Sequence, residues 1–382
     1  MLPQIQEFLL NNWESLPLER PKPQDLSFLV RGTGVGKLCC YVFADDEPYP
    51  RWVVKVPRSP KDNSLLASEY DLVHYLRKNG GEHVRATVPE PLLTATIAGH
   101  LIGVEPCLRG SSLDGLLVLA PSRMDELLDL GISWLLRCQQ EVGAHPQQLS
   151  EGQIEAHFAR PIELLSLTAQ LTLEERAFLE DVLCRVRQMA RVPLPLVFRH
   201  GDFRPANILL DGQAIHVLDW EFGVPASLPL MDVFGYLARV HARSVGLEEI
   251  DGYLEDYLVA FDEVFIRGGS FAGRTARWVE QAGRALGVEV EWLDILLAMF
   301  LVTEANKYHA FLHRRASRGY VYLMRRRGNS LPPSYEEQLA RQKNVWLLGH
   351  LAARKELTVF NKTARSQWLP MSSVRERGVQ VG

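Results

Sequence analysis

Between Phe198 and Glu221 the chain reads FRHGDFRPANILLDGQAIHVLDWE, and no other segment limits the fold so tightly. Leu196-Val197-Phe198 reads as the end of a strand, and Gly201 permits the tight turn that follows. Asp202 then falls on a loop where it can face a cleft, and Pro205 keeps that loop out of a regular helix or ladder. Ile208-Leu209-Leu210 and the run from Ile215 to Leu218 read as two short strands turning at Asp211-Gly212. A hairpin brings its ends together, so Asn207 and Asp219 are expected side by side. Acidic residues are poor strand formers, so something besides folding accounts for them here. An amide oxygen beside a carboxylate is a natural seat for Mg²⁺, a hard cation that shares oxygen ligands with substrate phosphates. Asp202, close by, is a candidate base or nucleophile-orienting carboxylate.

The chain of 382 residues is long enough for two domains or two lobes, and 47% apolar against 23% charged residues places it among soluble globular proteins. The first twenty residues carry no basic segment followed by a cleavage-site pattern, so no signal peptide is expected, and no apolar run approaches membrane-spanning length. Cys39, Cys40, Cys107, Cys138 and Cys184 form no C-x-x-C pair and are odd in number. They are expected to be reduced thiols of a cytoplasmic protein, outside any disulfide framework or zinc site. The overall net charge is −4, yet residues 301–382 hold 15 Lys and Arg against 5 Asp and Glu. That tail reads either as a solvated basic surface or as one that meets a charged partner.

Upstream, LSFLVRGTGVGKLCCYVF, the polar turn DDEPYP and RWVVKVP read as strands with connecting turns. A helix follows with Leu66, Tyr70, Val73 and Leu76 on one stripe, stopped at Asn79-Gly80-Gly81. TATI and HLIGVEPCL form a further hairpin. From Arg123 onward DELLDLGISWLLRCQQEVGAH and TLEERAFLEDVLCRVRQMA repeat apolar residues at helical steps, and helical patterns resume from Pro229 to about Arg314. No internal repeat or low-complexity tract interrupts this.

The order H-G-D-x-x-x-x-N at His200, Gly201, Asp202 and Asn207, followed by D-W-E at Asp219, Trp220 and Glu221, resembles the catalytic core of the aminoglycoside phosphotransferase and choline kinase family. That family shares the protein-kinase-like fold. The resemblance covers roughly residues 26–300 and implies an α+β, two-lobed architecture: a small antiparallel β-sheet N-lobe and a mainly helical C-lobe. It places the nucleotide-binding lobe at 1–107 and the helical lobe with catalytic and metal loops at 108–300. Residues 301–382 would be a basic extension, helical and packed on that lobe.

Further resemblance lies upstream in the expected order. Gly32, Gly34 and Gly36 sit between the first two strands, Lys55 in V-V-K-V on the next strand, and Glu69 on the following helix. G-T-G-V-G-K is no Walker A loop: the position needing glycine is Arg31, and Leu38 stands where Ser or Thr belongs. The third glycine of a kinase loop would fall at Lys37, so the loop departs from that pattern. The family implies that Lys55, held by Glu69, contacts the α- and β-phosphates of ATP while Asn207 and Asp219 hold Mg²⁺. Asp202 would orient or accept the acceptor proton, and Arg204 would stabilise the transferred phosphoryl group. Main-chain groups near Glu105 and Cys107 would bond adenine. His200 is read as architectural and Asp232 as a brace of the catalytic loop.

These parts imply an ATP- and Mg²⁺-dependent kinase of a small hydroxylated molecule of aminoglycoside, amino alcohol or sugar type. A kinase of a peptide or protein is the alternative, and a nucleotide-binding regulator without turnover is a third. Loss of Lys55, Asp202, Asn207 or Asp219 would favour the regulator, and all four are present. The stretch EEIDGYLEDYLVAFDE (248–263) would suit a cationic acceptor, whereas the basic tail would suit an anionic one. No nucleic-acid partner is expected.

Overall fold

The architecture is described from a computed structural model covering residues 1–16, 22–32, 37–45, 47–246, 254–268, 270–316 and 343–360. Side chains of 254–257, 311–316 and 343 lie outside the description. So do the expected loop glycines Gly34 and Gly36, and the start of the acidic stretch at 248.

The chain opens with helix α1 (Leu2–Asn11), which the sequence reading did not single out, and continues into strands β1 (Leu26–Arg31), β2 (Lys37–Ala44) and β3 (Trp52–Pro57). Helix α2 (Asn63–Asn79), helix α3 (Glu82–Thr87) and strands β4 (Leu93–Ile97) and β5 (His100–Pro106) follow. The five strands make one antiparallel sheet in the order β1-β2-β3-β5-β4. Alternation along β2 is clean: Cys40, Val42 and Ala44 are buried, and the intervening residues are half-buried on the other face. The buried face packs on Ile5 and Leu9 of α1 and on Trp13, whose ring meets Trp52 edge-on at 5.0 Å. This is the smaller of two hydrophobic cores.

The larger core fills the helical part. Its elements begin with the two-residue strand β6 (Ser111–Ser112), α4 (Leu113–Leu119), α5 (Met124–Val142) and β7 (His145–Gln147). Next come α6 (Glu151–Ile154), a π-turn over Glu155–Ala159, α7 (Arg160–Thr168) and α8 (Leu173–Gln188). Thr172 and Glu175 close a capping box that fixes where α8 starts. Then β8 (Leu194–Arg199), β9 (Ile208–Asp211), β10 (Ala214–Val217) and β11 (Val224–Ser227) interrupt the helices. They join small sheets in the orders β10-β9-β6 and β11-β8-β7. Helices α9 (Met231–Ser244), α10 (Leu254–Phe265), α11 (Ala272–Leu286), α12 (Leu293–Ala316) and α13 (Lys343–Arg354) complete the part.

Two features of this packing position the site. Leu66, Tyr70, Val73 and Leu76 of α2 are all buried, as their spacing requires. Yet Leu72, Val73 and Leu76 belong to the larger core, beside Val84 and Val88, so α2 is anchored across the cleft from its own sheet. Helix α12 runs unbroken through residue 301, with Leu301, Val302 and Ala305 buried. The boundary expected at 301 therefore falls inside a core helix: the change in charge there coincides with no break in its apolar packing. No helix of the described residues is long and apolar enough to cross a membrane.

Candidate active site

The loop after β8 is fixed from both sides. His200 is fully buried; the Asp202 amide donates to its Nδ1 at 3.2 Å, and its Nε2 lies 2.9 Å from the Leu218 carbonyl. Nδ1 is thus the acceptor, and Nε2 carries the proton it gives to Leu218. Burial lowers the imidazole pKa, which keeps the ring neutral. The ring packs 4.4 Å from that of Trp220, which the D-W-E segment drives into the core. At Gly201 φ is +78°, and a Cβ there would stand 2.2 Å from the Phe222 carbonyl oxygen. Only glycine fits that turn. The amides of His200 and Gly201 donate to Asp232 Oδ2 at 2.7 Å and Oδ1 at 3.0 Å. Asp232 occupies the first turn of α9, from which it braces the loop.

Asp202, its side chain 12% exposed, meets donors on both carboxylate oxygens. Arg239 Nη1 reaches Oδ1 at 3.0 Å, Arg204 Nε reaches Oδ2 at 3.1 Å, and Asn207 Nδ2 donates to Oδ2 at 3.0 Å. Burial works against ionisation, but Arg239 first and Arg204 next overcome it and bring the pKa down to about 2. Lys307 of α12 donates to the Gly201 carbonyl at 2.8 Å and pairs with Glu304 at 2.9 Å. Arg199 pairs with Glu304 at 2.8 Å.

The hairpin closes as its turn chemistry requires. β9 and β10 pair antiparallel, and the Leu218 amide donates to the Asn207 carbonyl at 2.9 Å. Asp219 follows directly, with φ at +68°, a left-handed conformation uncommon outside glycine. Because Asn207 spends its amide nitrogen on Asp202, its Oδ1 is the end able to accept a cation. Among the described residues no group of three or more His, Cys, Asp or Glu is set to hold a metal. One amide oxygen and one carboxylate still fit a hard ion that retains water and takes phosphate oxygens as its remaining ligands.

Across the cleft, Lys55 of β3 lies 2.5 Å from Glu69 Oε1 and 2.8 Å from Glu105 Oε1. Burial opposes the ammonium, but Glu105 and Glu69 outweigh it and hold Lys55 protonated well above its ordinary range. Glu69 falls to about 2 despite burial, because Lys55 and Lys37 both face it. Burial pushes Glu105 the other way, upward, with Lys55 opposing. Tyr70 packs over Gly103 beside this group, where a Cβ would collide with the ring. Gly32 ends the stretch after β1, against the Arg58 guanidinium. Cys107 follows β5, and its amide donates to the Arg51 carbonyl at 2.7 Å. Any adenine contact at Cys107 would therefore use its carbonyl.

Asp202, Arg204 and Asn207 thus form one cluster, and Lys55, Glu69 and Glu105 another. A bridge from the second to Asp219 and Glu221, which follow the hairpin, was not foreseen. Lys37 Nζ contacts Glu69 Oε2 at 2.7 Å, Asp219 Oδ1, and Glu221 Oε2 at 3.4 Å. Arg239, Glu304, Lys307 and the side chain of Glu105 were also missed. The period-two alternation of β2 puts Lys37 on the face of Lys55, and the seven-residue step from Asp232 puts Arg239 on one side of α9. Those signals become readable only once the strand and helix neighbours are known.

Residues 41–269, well over half the chain, match the sequence profile of the phosphotransferase enzyme family. No curated protein sequence matches the chain closely enough to count as a relative. Among solved structures, a thermostable mutant of aminoglycoside phosphotransferase APH(4)-Ia in ternary complex with AMP-PNP and hygromycin B is 13% identical. That match covers 91% of this chain and 98% of the other, with a TM-score of 0.50. An amicoumacin kinase in complex with AMP-PNP, Ca²⁺ and Ami is 12% identical over 94% and 97% of the two chains, with a TM-score of 0.49. A choline/ethanolamine kinase family protein from Mesorhizobium loti is 15% identical over 91% and 99%, with a TM-score of 0.43. At such identity the first likeness speaks to the fold, which is α+β and protein-kinase-like.

Proposed function

The chain belongs to the phosphotransferase enzyme family, and we propose on that premise that it moves the γ-phosphoryl group of ATP to a hydroxyl of a small molecule. The observation that carries this reading is the pairing across one cleft of Lys55 held by Glu69 with Asp202 held beside Asn207. In the transfer, the acceptor oxygen forms a bond to the γ-phosphorus as the bond to the β–γ bridging oxygen breaks. ADP leaves, and the hydroxyl proton departs to solvent or to the phosphorylated product.

Lys55, fixed by Glu69 and Glu105, neutralises α- and β-phosphate oxygens. Asn207 and Asp219 would hold Mg²⁺, whose charge, when bound, offsets that of the phosphates. Asp202 aligns the acceptor hydroxyl and takes up its hydrogen bond. With a pKa of about 2 it is a weak base, which suits a loose transition state in which positioning outweighs proton removal. Arg204, 3.1 Å from Asp202, would stabilise the moving phosphoryl group. The glycine stretch that opens at Gly32 would cover the phosphates, and the chain from Glu105 to Cys107 would border adenine. The acceptor is of aminoglycoside, amino alcohol or sugar type, met by the helical lobe. The five cysteines are free thiols, in keeping with a cytoplasmic setting.

The direct test is ADP release from Mg–ATP with pooled aminoglycosides, amino alcohols and sugars, run beside Asp202→Asn. A pool that stimulates release, a product heavier by one phosphoryl group, and loss of both in the variant are the expected results. Asp202→Asn should lower turnover by roughly 10²-fold or more with Mg–ATP affinity nearly intact. Turnover close to wild type would remove Asp202 from this role. Phosphorylated peptides from an added peptide pool would move the acceptor class to that alternative.

A further inference from the structure

Strand β2 delivers a second lysine to the cleft. In the β2–β3 register Cys39 faces Lys55, so Lys37, two residues earlier, projects from the same side of the sheet as Lys55. Cys40, Val42 and Ala44 occupy the opposite, core-facing side. The Lys37 side chain is 14% exposed, and its ammonium touches one carboxylate of the small lobe and two of the large lobe. Glu69 divides its oxygens between the two lysines, Oε1 to Lys55 and Oε2 to Lys37. It therefore positions two ammonium groups. The whole cluster is two lysines and four carboxylates, namely Glu69, Glu105, Asp219 and Glu221. Asp219, the carboxylate expected to carry the metal, has Oδ1 committed to Lys37.

We propose that Lys37 is a second phosphate-binding lysine, which exchanges Asp219 and Glu221 for nucleotide phosphate oxygens and so frees Asp219 for the metal. This rests on the ATP-dependent reading given above. Three N–H donors on a flexible four-carbon stem allow the exchange. The ammonium passes from one set of anionic oxygens to another and stays fully paired, while Glu69 holds its third donor. Lys37 stands where the expected glycine loop breaks its pattern, one residue past Gly36. That departure places a charged side chain at a point where a kinase loop would offer only backbone.

The test compares binding of ATP, ADP and adenosine by calorimetry to wild type, Lys37→Met and Lys37→Arg, in Mg²⁺ and in EDTA. Removing one charge-assisted contact should weaken ATP and ADP about tenfold or more and leave adenosine within about twofold. Lys37→Arg should recover much of the loss. Equal weakening of ATP and adenosine would make Lys37 a strut that merely shapes the cleft, and unchanged ATP affinity would exclude any phosphate contact. Either result overturns the role of Lys37 while wild type still binds ATP. Wild type that binds no adenine nucleotide would overturn the ATP reading itself, and this inference with it.

Discussion

With Arg239 on one carboxylate oxygen and Arg204 on the other, Asp202 stays ionised far below the pH at which such groups ordinarily take a proton. The shift from about 3.9 to about 2 contributes on the order of 2 kcal/mol of stability. Since the folded pKa is the lower one, that contribution is complete above about pH 5 and drains away as pH falls toward 2. Asp202 should therefore set no acid limb in the activity profile above about pH 4. In Arg239→Gln the leading stabilising charge is gone, and an acid limb should move upward by about one unit; Arg239→Lys should restore most of it. A profile of kcat/KM against pH that does not move would show that Arg239 leaves Asp202 untouched. The closeness of Asp202 to Asn207 was legible in the sequence because one tight turn holds both. Lys37, Arg239 and Lys307 were not, because their partners lie 182, 37 and 106 positions away. No local pattern encodes such a contact.

At the level of elements, the catalytic loop depends on one backbone turn and one helix start. Gly201→Ala drives a Cβ toward the Phe222 carbonyl and imposes a left-handed φ on a residue that resists it. A loss of about 2–4 kcal/mol is expected in urea unfolding, with transfer activity falling as the Asp202 geometry shifts. An unchanged midpoint would mean that the loop can open by another route. Helix α2 carries a different dependence. Leu76 is 1% exposed within the larger core, so Leu76→Ala should cost about 2–5 kcal/mol. It should also loosen Glu69, raising the ATP KM in whatever fraction remains folded. The α2 stripe and the β9–β10 hairpin followed from periodicity and turn residues. The core joined by α2 did not, since amphipathicity marks a buried face without saying what covers it. Strands as short as β6 and β7 escaped because two or three residues carry no measurable alternation.

For the whole molecule, the last helices close the larger core. Val345, Leu348 and Leu351 of α13, together with Phe360, are buried in it, and Thr358 Oγ1 donates to Asp294 at 2.5 Å. A chain ending at residue 342 would bare the facing sides of α8 and α12. It should lose several kcal/mol and unfold at a visibly lower temperature by differential scanning calorimetry. A truncated chain with an unaltered Tm would show that α13 adds no net stability. The two-part organisation was legible because strand-like alternation gives way to helical spacing after about residue 120. The apolar positions that hold α13 down were not, because a surplus of basic residues describes a surface and hides them.

Asp219 also sets backbone comfort against side-chain chemistry. At φ +68° glycine carries none of the strain that an aspartate side chain adds. A glycine there would relieve the backbone and remove the carboxylate that meets Lys37. An aspartate at such a position sets a small backbone strain against a carboxylate that meets Lys37.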